Sequence, residues 1–540
     1  MKLLVLSNVN VSPLRERLSG YQPGHNVDFG DYGDIVRPLV DPSSAAYTDD
    51  VDAVVLLLDG PELLGAGDLA REVLAAIERF VTARRDVLLV ATTVRADAES
   101  SLTYAAATQP GGQLAEELAF NLGLVELAHQ TPNVAVLDAG LLFDRLGLER
   151  LVSPTFWYAG RIRYATPWFD ECARHLTGLL AAYLNQARKV LVCDLDGTLW
   201  GGILGEDGPG GILLGEDGAG KCYRDLQREI VTLQNSGVLL AVASKNEPAE
   251  VERVVADHPM MLVRPDHVAA WRVGWDDKAT SIASLAAELS LGLDSFVFLD
   301  DNPVERMLIA EALPEVAVPD VPTRPELLPG WFVRDVAFAY FPKLRILESD
   351  RGKTDQYRAQ RERAHVQASE FDLASFLERL DIRLTFAVDD ELLTERTAQM
   401  TQKTNQFNLT VRRFAPHEIA DMISDDRYAV VTVRYEDRFG DEGVVGVAIL
   451  DTQGAEVTAF LLSCRVIGRN VEVALLDEVE RLATARGLPA LTCTYVRTER
   501  NGFVSAFLAE HDWHTSGASG EGAGEGSGDG SGMIFRKDLA

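Results

Sequence analysis

Cysteine is scarce in this 540-residue chain: Cys172, Cys193, Cys222, Cys464 and Cys493 are odd in number and show no Cys-x-x-Cys spacing. That excludes a disulfide framework and a zinc knuckle as organising devices. Positive charge is also short, with 51 Lys and Arg against 82 Asp and Glu and a net charge of −31. Such an acidic chain repels phosphate backbones and anionic lipid heads, so neither nucleic acid nor membrane is expected as a partner. Long apolar runs are missing. The first, Leu3–Leu6, is four residues long, too short for a signal peptide, and no stretch reaches the ~18 apolar residues of a spanning helix. The expected compartment is the cytoplasm.

What remains is material for several cores. At roughly 150 residues per domain, 540 residues make three or four folding units. Apolar content of 47% and charged content of 25% are ordinary for a globular chain. From residue 1 to about 185, short apolar runs at Leu3–Leu6, Ala53–Leu58, Val87–Ala91 and Val134–Leu137 alternate with helical patterns. Buried parallel strands in an α/β layer fold give that alternation. Residues 186–343 repeat the pattern, with strands expected at Val190–Cys193, Val238–Ala243, Met261–Val263 and Phe296–Leu299. Residues 344–370 are strongly charged and free of Pro, which predicts a connecting helix whose charges face solvent. Residues 371–540 mix strands and helices, interrupted by the Gly/Ser-rich stretch 515–532, an expected loop between two strands. The near-repeat GGILGEDG at 201–208 and GILLGEDG at 211–218 is too short for a solenoid and predicts a β-hairpin flap.

The most informative run is KVLVCDLDGTLWGG, from Lys189 to Gly202. Its apolar strand delivers Asp194 and then Asp196 to a carboxyl edge, where ligands bind in open α/β sheets. One such carboxylate can attack an electrophile or hold a cation while the other moves a proton. Gly197 permits a tight turn, and the Thr198 hydroxyl can bond a phosphate oxygen. The plain alternative is a pair of solvated turn carboxylates. Three later elements count against it, each falling where the same edge would be completed. Strand Leu239–Ala243 runs into Ser244, Lys245 and Asn246, a hydroxyl and amides suited to phosphoryl oxygens. Lys278 opens a helix after Trp275-Asp276-Asp277 and can neutralise phosphate charge. Strand Phe296–Leu299 ends in Asp300-Asp301, which beside the first pair would form a hard oxygen site for Mg²⁺. These residues alone indicate Mg²⁺-dependent phosphate chemistry.

DLDGTLWGGILGEDG, SKNEP, WDDKAT and FLDDNPVER resemble haloacid-dehalogenase-superfamily enzymes, and more closely the FkbH-like proteins that load a glyceryl unit onto acyl carrier protein. The resemblance implies an α/β fold: a Rossmann-like parallel sheet of the haloacid-dehalogenase type, flanked by an SGNH-like α/β domain (1–185) and a GNAT-like α+β domain (371–540). It implies Asp194 as nucleophile and Asp196 as acid and base. Thr198, Ser244, Asn246 and Lys278 would hold phosphate, and Asp194, Asp196, Asp300 and Asp301 would surround the magnesium. It further implies 1,3-bisphosphoglycerate as substrate and an enzyme-bound glyceryl thioester, for which Cys193 and Cys464 are the candidate thiols. A simple small-molecule phosphatase and a catalytically silent carrier-protein adaptor are the alternatives. About 50 residues separate Asp194 from Ser244 and about 33 separate Ser244 from Lys278, so neither gap has space for a large cap domain. An open site suits a substrate carried on a protein.

In the C-terminal unit, Arg465-Val466-Ile467-Gly468-Arg469-Asn470 precedes a helix and would expose amides at its N-terminus, an anion site. It resembles the pyrophosphate loop of GCN5-related N-acetyltransferases, with Asn470 departing from the small residue expected last. A degenerate scaffold, a carrier or pantetheine docking surface at Arg465, Gly468 and Arg469, and acetyl transfer are the competing readings. Arg358, Arg361 and Arg363 of the connecting segment are further basic docking candidates. The run Thr401–Leu409 (TQKTNQFNL) also looks FkbH-like, and its plain reading is a loop that bonds its own backbone. At the N-terminus, Ser7-Asn8 stands where an SGNH hydrolase needs Gly-Asp-Ser, and Asp170 lies five residues from His175 with no Asp-x-x-His. That unit is expected to be non-catalytic.

Overall fold

The computed structural model describes the chain apart from residues 22–25, 65–66, 97–100, 102, 110, 348–349, 351, 370–379, 405–406, 464–465, 499–500, 519–531 and 540. The fold is α/β, and the chain divides into two compact units, one of residues 1–186 with 342–344, the other of 187–341 with 345–540. In the first unit β1 (Lys2–Ser7), β2 (Asn26–Phe29), β3 (Ala53–Leu57), β4 (Leu88–Thr92) and β5 (Val134–Leu137) form a parallel sheet in the order β2-β1-β3-β4-β5. Strands such as AVVLL and LLVAT are buried throughout, as a sheet covered on both faces requires. β2 has only Val27 fully buried, which is why no apolar run announces it.

The second unit begins with β6 (Val190–Cys193), β7 (Leu239–Ser244), β8 (Val268–Val273) and β9 (Phe296–Leu299), all parallel in the order β8-β7-β6-β9. The strand expected at Met261–Val263 is instead a buried turn whose Leu262 and Val263 amides donate to Gln227 Oε1. β8 lies further on, where Trp271, Arg272 and Val273 are only partly buried and blur the apolar pattern. The expected flap hairpin is also corrected: Leu204–Asp207 is a helical turn, and a single bridge pairs Gly201 with Leu213. A helix, Gly218–Asn235, fills the rest of that connection, so no cap domain covers the edge.

The helix Lys353–Ser369 follows. Its charges do not all face solvent. Arg363 is 1% exposed and donates to Asp437 at 2.7 and 2.8 Å and to Glu442, while Thr354 accepts a bond from Gln234. The helix is thereby fastened to both flanking parts of the unit.

The C-terminal sheet contains β10 (Arg383–Val388), β11 (Phe407–Asn408), β12 (Tyr428–Asp437), β13 (Gly440–Asp451), β14 (Glu456–Leu462), β15 (Ala490–Tyr495), β16 (His514–Ala518) and β17 (Met533–Asp538). Neighbours are antiparallel except β14 and β15, which pair in parallel at only two positions and then diverge. β11 fills the gap. It pairs with β14, and on the other side Val496 N donates to Leu409 O and Asn501 Nδ2 to Asn408 O. β16 and β17 pair as strands on either side of the Gly/Ser-rich stretch, so 515–518 is strand rather than loop. The remainder, 519–531, lies outside the described residues.

Candidate active site

Register places the first three groups. Cys193 is level with Leu299 of β9 and with Val242 of β7, so Asp194, Asp300 and Ser244 leave adjacent strands at one carboxyl edge. Lys278 reaches them from the first turn of the helix Lys278–Leu289, which Asp277 caps by accepting from Thr280 N. An ammonium at the positive end of a helix is unfavourable unless carboxylates face it. Here two do. Lys278 Nζ stands 3.0 Å from Asp194 Oδ2 and is also paired with Asp300 Oδ2.

Asp194 is 7% exposed and Asp300 fully buried. Burial, opposed by Lys278 and reinforced by Asp300, pushes the Asp194 carboxyl up to about 6. Burial also raises Asp301, with Asp300 adding to the effect. Burial alone would lower Lys278, but Asp194 and Asp300 outweigh it and hold it raised. Asp194, Asp300 and Asp301 bring one oxygen each within 4.8 Å of one another, a set able to hold a metal ion. Among the described residues Asp194 Oδ1 is enclosed and has no hydrogen-bond partner, an oxygen left for a cation or an electrophile. The donor set is all carboxylate oxygen, which fits Mg²⁺.

Asp196 is not in that cluster. Its Oδ1 accepts from Trp200 Nε1 at 2.8 Å and Leu204 N at 3.0 Å, and its Oδ2 accepts from Asn246 Nδ2 at 2.9 Å. Asn246 is thus a partner of Asp196 and, at 3.2 Å, of Ser244 Oγ. Thr198 Oγ1 accepts from Asp301 N, tying the turn after β6 to the end of β9. Gly197, at φ +68°, has no Cβ because one would overlap the Asp301 carboxylate. Trp200 and Gly197 thereby order the two acidic pairs.

Cys193 is fully buried in the apolar cluster with Leu191, Leu195 and Leu199, and burial pushes its thiol far up. That placement counts against an acyl-carrying role, which needs an accessible thiolate. Cys464 and Arg465 lie outside the described residues. Gly468 N donates to Glu472 Oε1, and Arg469 lies over the Tyr435 ring with a bond to its hydroxyl. The run Thr401–Leu409 is not the expected loop: Thr401–Lys403 end the helix Thr394–Lys403 and Phe407–Asn408 form β11, with Thr401 Oγ1 accepting from Phe414 N and Asn408 donating to Thr404 O and accepting from Val411 N. In the first unit Ser7 Oγ donates to Leu57 O and accepts from Val9 N, and Asp59 is taken up by Arg163 and Tyr164.

Neither comparison with protein-family models nor comparison with curated proteins yields a match. Among solved structures, the chain is similar to the N-terminal part of the protein BF1531 from Bacteroides fragilis, containing a phosphatase domain complexed with Mg. The two are 23% identical over 64% of this chain and 94% of that one, with a TM-score of 0.59. The likeness establishes the fold. The ribosomal-protein-S18-alanine N-acetyltransferase of Escherichia coli and Ard1 of Thermoplasma volcanium each superpose on 29% of this chain, at 12% and 13% identity, covering 95% and 98% of their own lengths. Both have TM-scores of 0.24, at which no inference follows.

Proposed function

We propose that the chain is a Mg²⁺-dependent phosphoryl-handling enzyme of the haloacid-dehalogenase type, with its reacting centre at Asp194. The observation that carries this reading is the convergence of Asp194, Lys278, Asp300 and Asp301 at one sheet edge, with a buried Asp194 oxygen left unpartnered among the described residues. Asp194, Asp300 and Asp301 would hold the ion, which when bound supplies positive charge against the phosphoryl oxygens.

The remaining steps belong to side chains. An Asp194 oxygen attacks phosphorus, the bond from phosphorus to the substrate oxygen breaks, and Asp196 gives that oxygen its proton. Asp196 then takes a proton from water, whose oxygen displaces Asp194 and releases phosphate. Ser244 and Lys278 hold phosphoryl oxygens during both steps. Trp200 and Asn246 orient Asp196 for its two transfers.

The finer reading rests on the FkbH-like motifs: the substrate is 1,3-bisphosphoglycerate, and a glyceryl unit passes, with dephosphorylation, to the phosphopantetheine thiol of an acyl carrier protein. The uncapped edge supports a substrate borne on a protein arm. Residues 1–185 serve as a non-catalytic part and 371–540 as a partner-recognition part. Intact-mass analysis of the carrier beside a phosphate-release assay tests the reading. Glyceryl addition supports it, phosphate release without acylation leaves a simple phosphatase, and neither leaves a silent adaptor.

A further inference from the structure

The first unit carries an apolar helix face that its own core does not use. In the helix Gln113–Gln130, Phe120 and Leu124 are buried and join the cluster with Ile77, Phe80 and Leu89. On another side of the same helix Leu114, Leu118, Leu122 and Val125 are 40%, 61%, 60% and 50% exposed. Their positions along the helix keep them in one stripe, about 17 Å long at 1.5 Å per residue. Ala115 and Ala119, also exposed, border it. An outward helix face is ordinarily polar, the more so in a chain of net charge −31. An aliphatic line of this kind marks an interaction surface.

The face is complementary to itself. Let two copies of the helix lie antiparallel about a two-fold axis level with Phe120. Leu118 then meets Leu122 of the second copy, Leu114 meets Val125, and each contact occurs twice, as an isologous interface requires. The small side chains of Ala115 and Ala119 leave room for the two helices to approach. The same alignment sets the exposed Glu126 beside the first turn of the other helix. Gly112 caps that end without a side-chain bond, so the first amides there carry a partial positive charge that a carboxylate offsets. Parallel alignment would instead set Glu126 beside its twin. Repulsion between two acidic chains is screened beyond roughly 8 Å at physiological salt, so the local match decides.

We propose that the helix Gln113–Gln130 is the self-association face of this protein, packed antiparallel against the same helix of a second copy. The inference is independent of the chemistry at Asp194. It gives the first unit a part of its own, the pairing of two chains.

The test is sedimentation velocity on the full chain over a concentration series. The wild type should reach twice its 59.0 kDa mass at concentrations on the order of ten micromolar, the range of a modest interface. Leu118→Glu and Leu122→Lys each leave an unpaired charge in the contact and should weaken association on the order of a hundredfold. An equimolar mixture of the two variants should regain the dimer, because antiparallel pairing sets their opposite charges against each other. Both positions are exposed, so at dilutions where every form is monomeric the variants should melt with the wild type. A wild type that stays monomeric at the highest concentration would overturn the inference and leave the face to a different partner. A dimer that both variants keep would place the interface elsewhere and overturn it too. Variants that lose the dimer and do not recover it on mixing would refute the antiparallel pairing, whatever their melting temperatures.

Discussion

Replacing Asp194 with Asn should stabilise the metal-free protein while abolishing turnover. Asp194 is buried beside Asp300, and Lys278 offsets only part of the cost of its charge, so its carboxyl moves from an ordinary 3.8 up to about 6. The folded protein therefore binds this proton more tightly than the unfolded chain does. The stability linked to the group falls as pH rises from about 4 to about 6 and is flat above. A gap of about two pKa units corresponds to about 3 kcal/mol at pH 7. Asn keeps the shape and carries no charge to desolvate. Calorimetric melting in EDTA should show the variant above the wild type at pH 7, with the advantage vanishing near pH 4. Mg²⁺ should reverse the order, since a ligand that binds only the folded state stabilises in proportion to its affinity, and the variant has lost one of three carboxylates. A variant melting below the wild type in EDTA at pH 7, or gaining as much from Mg²⁺, would refute this electrostatic account.

Gly197→Ala should cost most or all turnover, because the left-handed backbone and the Asp301 carboxylate both exclude a Cβ; steady-state kinetics would show it, and full activity would remove the turn from the site. Arg363→Met should destabilise the second unit by about 3–5 kcal/mol, since Asp437 and Glu442 would lose their buried counter-charge. An unchanged urea midpoint would show that the ion pairs are dispensable. Phe407→Ala should cost about 3–5 kcal/mol by emptying the gap between β14 and β15, where the ring meets Phe460, Phe503 and Phe507. A melting temperature within a degree of the wild type would mean that β11 does not hold that gap closed.

The carboxylate edge was legible because strand, turn and charge signals coincide there: an apolar run ends in Asp194, another in Ser244 and a third in Asp300, and parallel pairing makes those ends neighbours. What patterns along the chain do not encode is partnership across it. Asp196 and Asn246 are 50 residues apart and each has a plausible solitary role, yet they bond to each other. β8 escaped because Trp271, Arg272 and Val273 are partly buried at the sheet edge, whereas Met261 and Val263 are apolar for the sake of a buried turn.

The same distinction governs the basic residues expected to receive an acidic carrier. Arg363 serves Asp437 and Glu442, Tyr435 donates to Asp437, and Arg469 bonds Tyr435 in turn. A chain of charge and phenol, buried at Arg363, Asp437 and Tyr435, thus runs from the helix Lys353–Ser369 through β12 to Arg469, just before the helix Val471–Ala485. The Gly468 amide, offered to an anion by the loop pattern, already has the Glu472 carboxylate. A carboxylate there disfavours an incoming phosphate and suits the helix N-terminus in its place. Arg363 and Arg469 thus serve to fix the connecting helix to the C-terminal sheet, and a partner drawn to Arg469 would have to displace Tyr435, whereas one drawn to the Gly468 amide would have to displace Glu472.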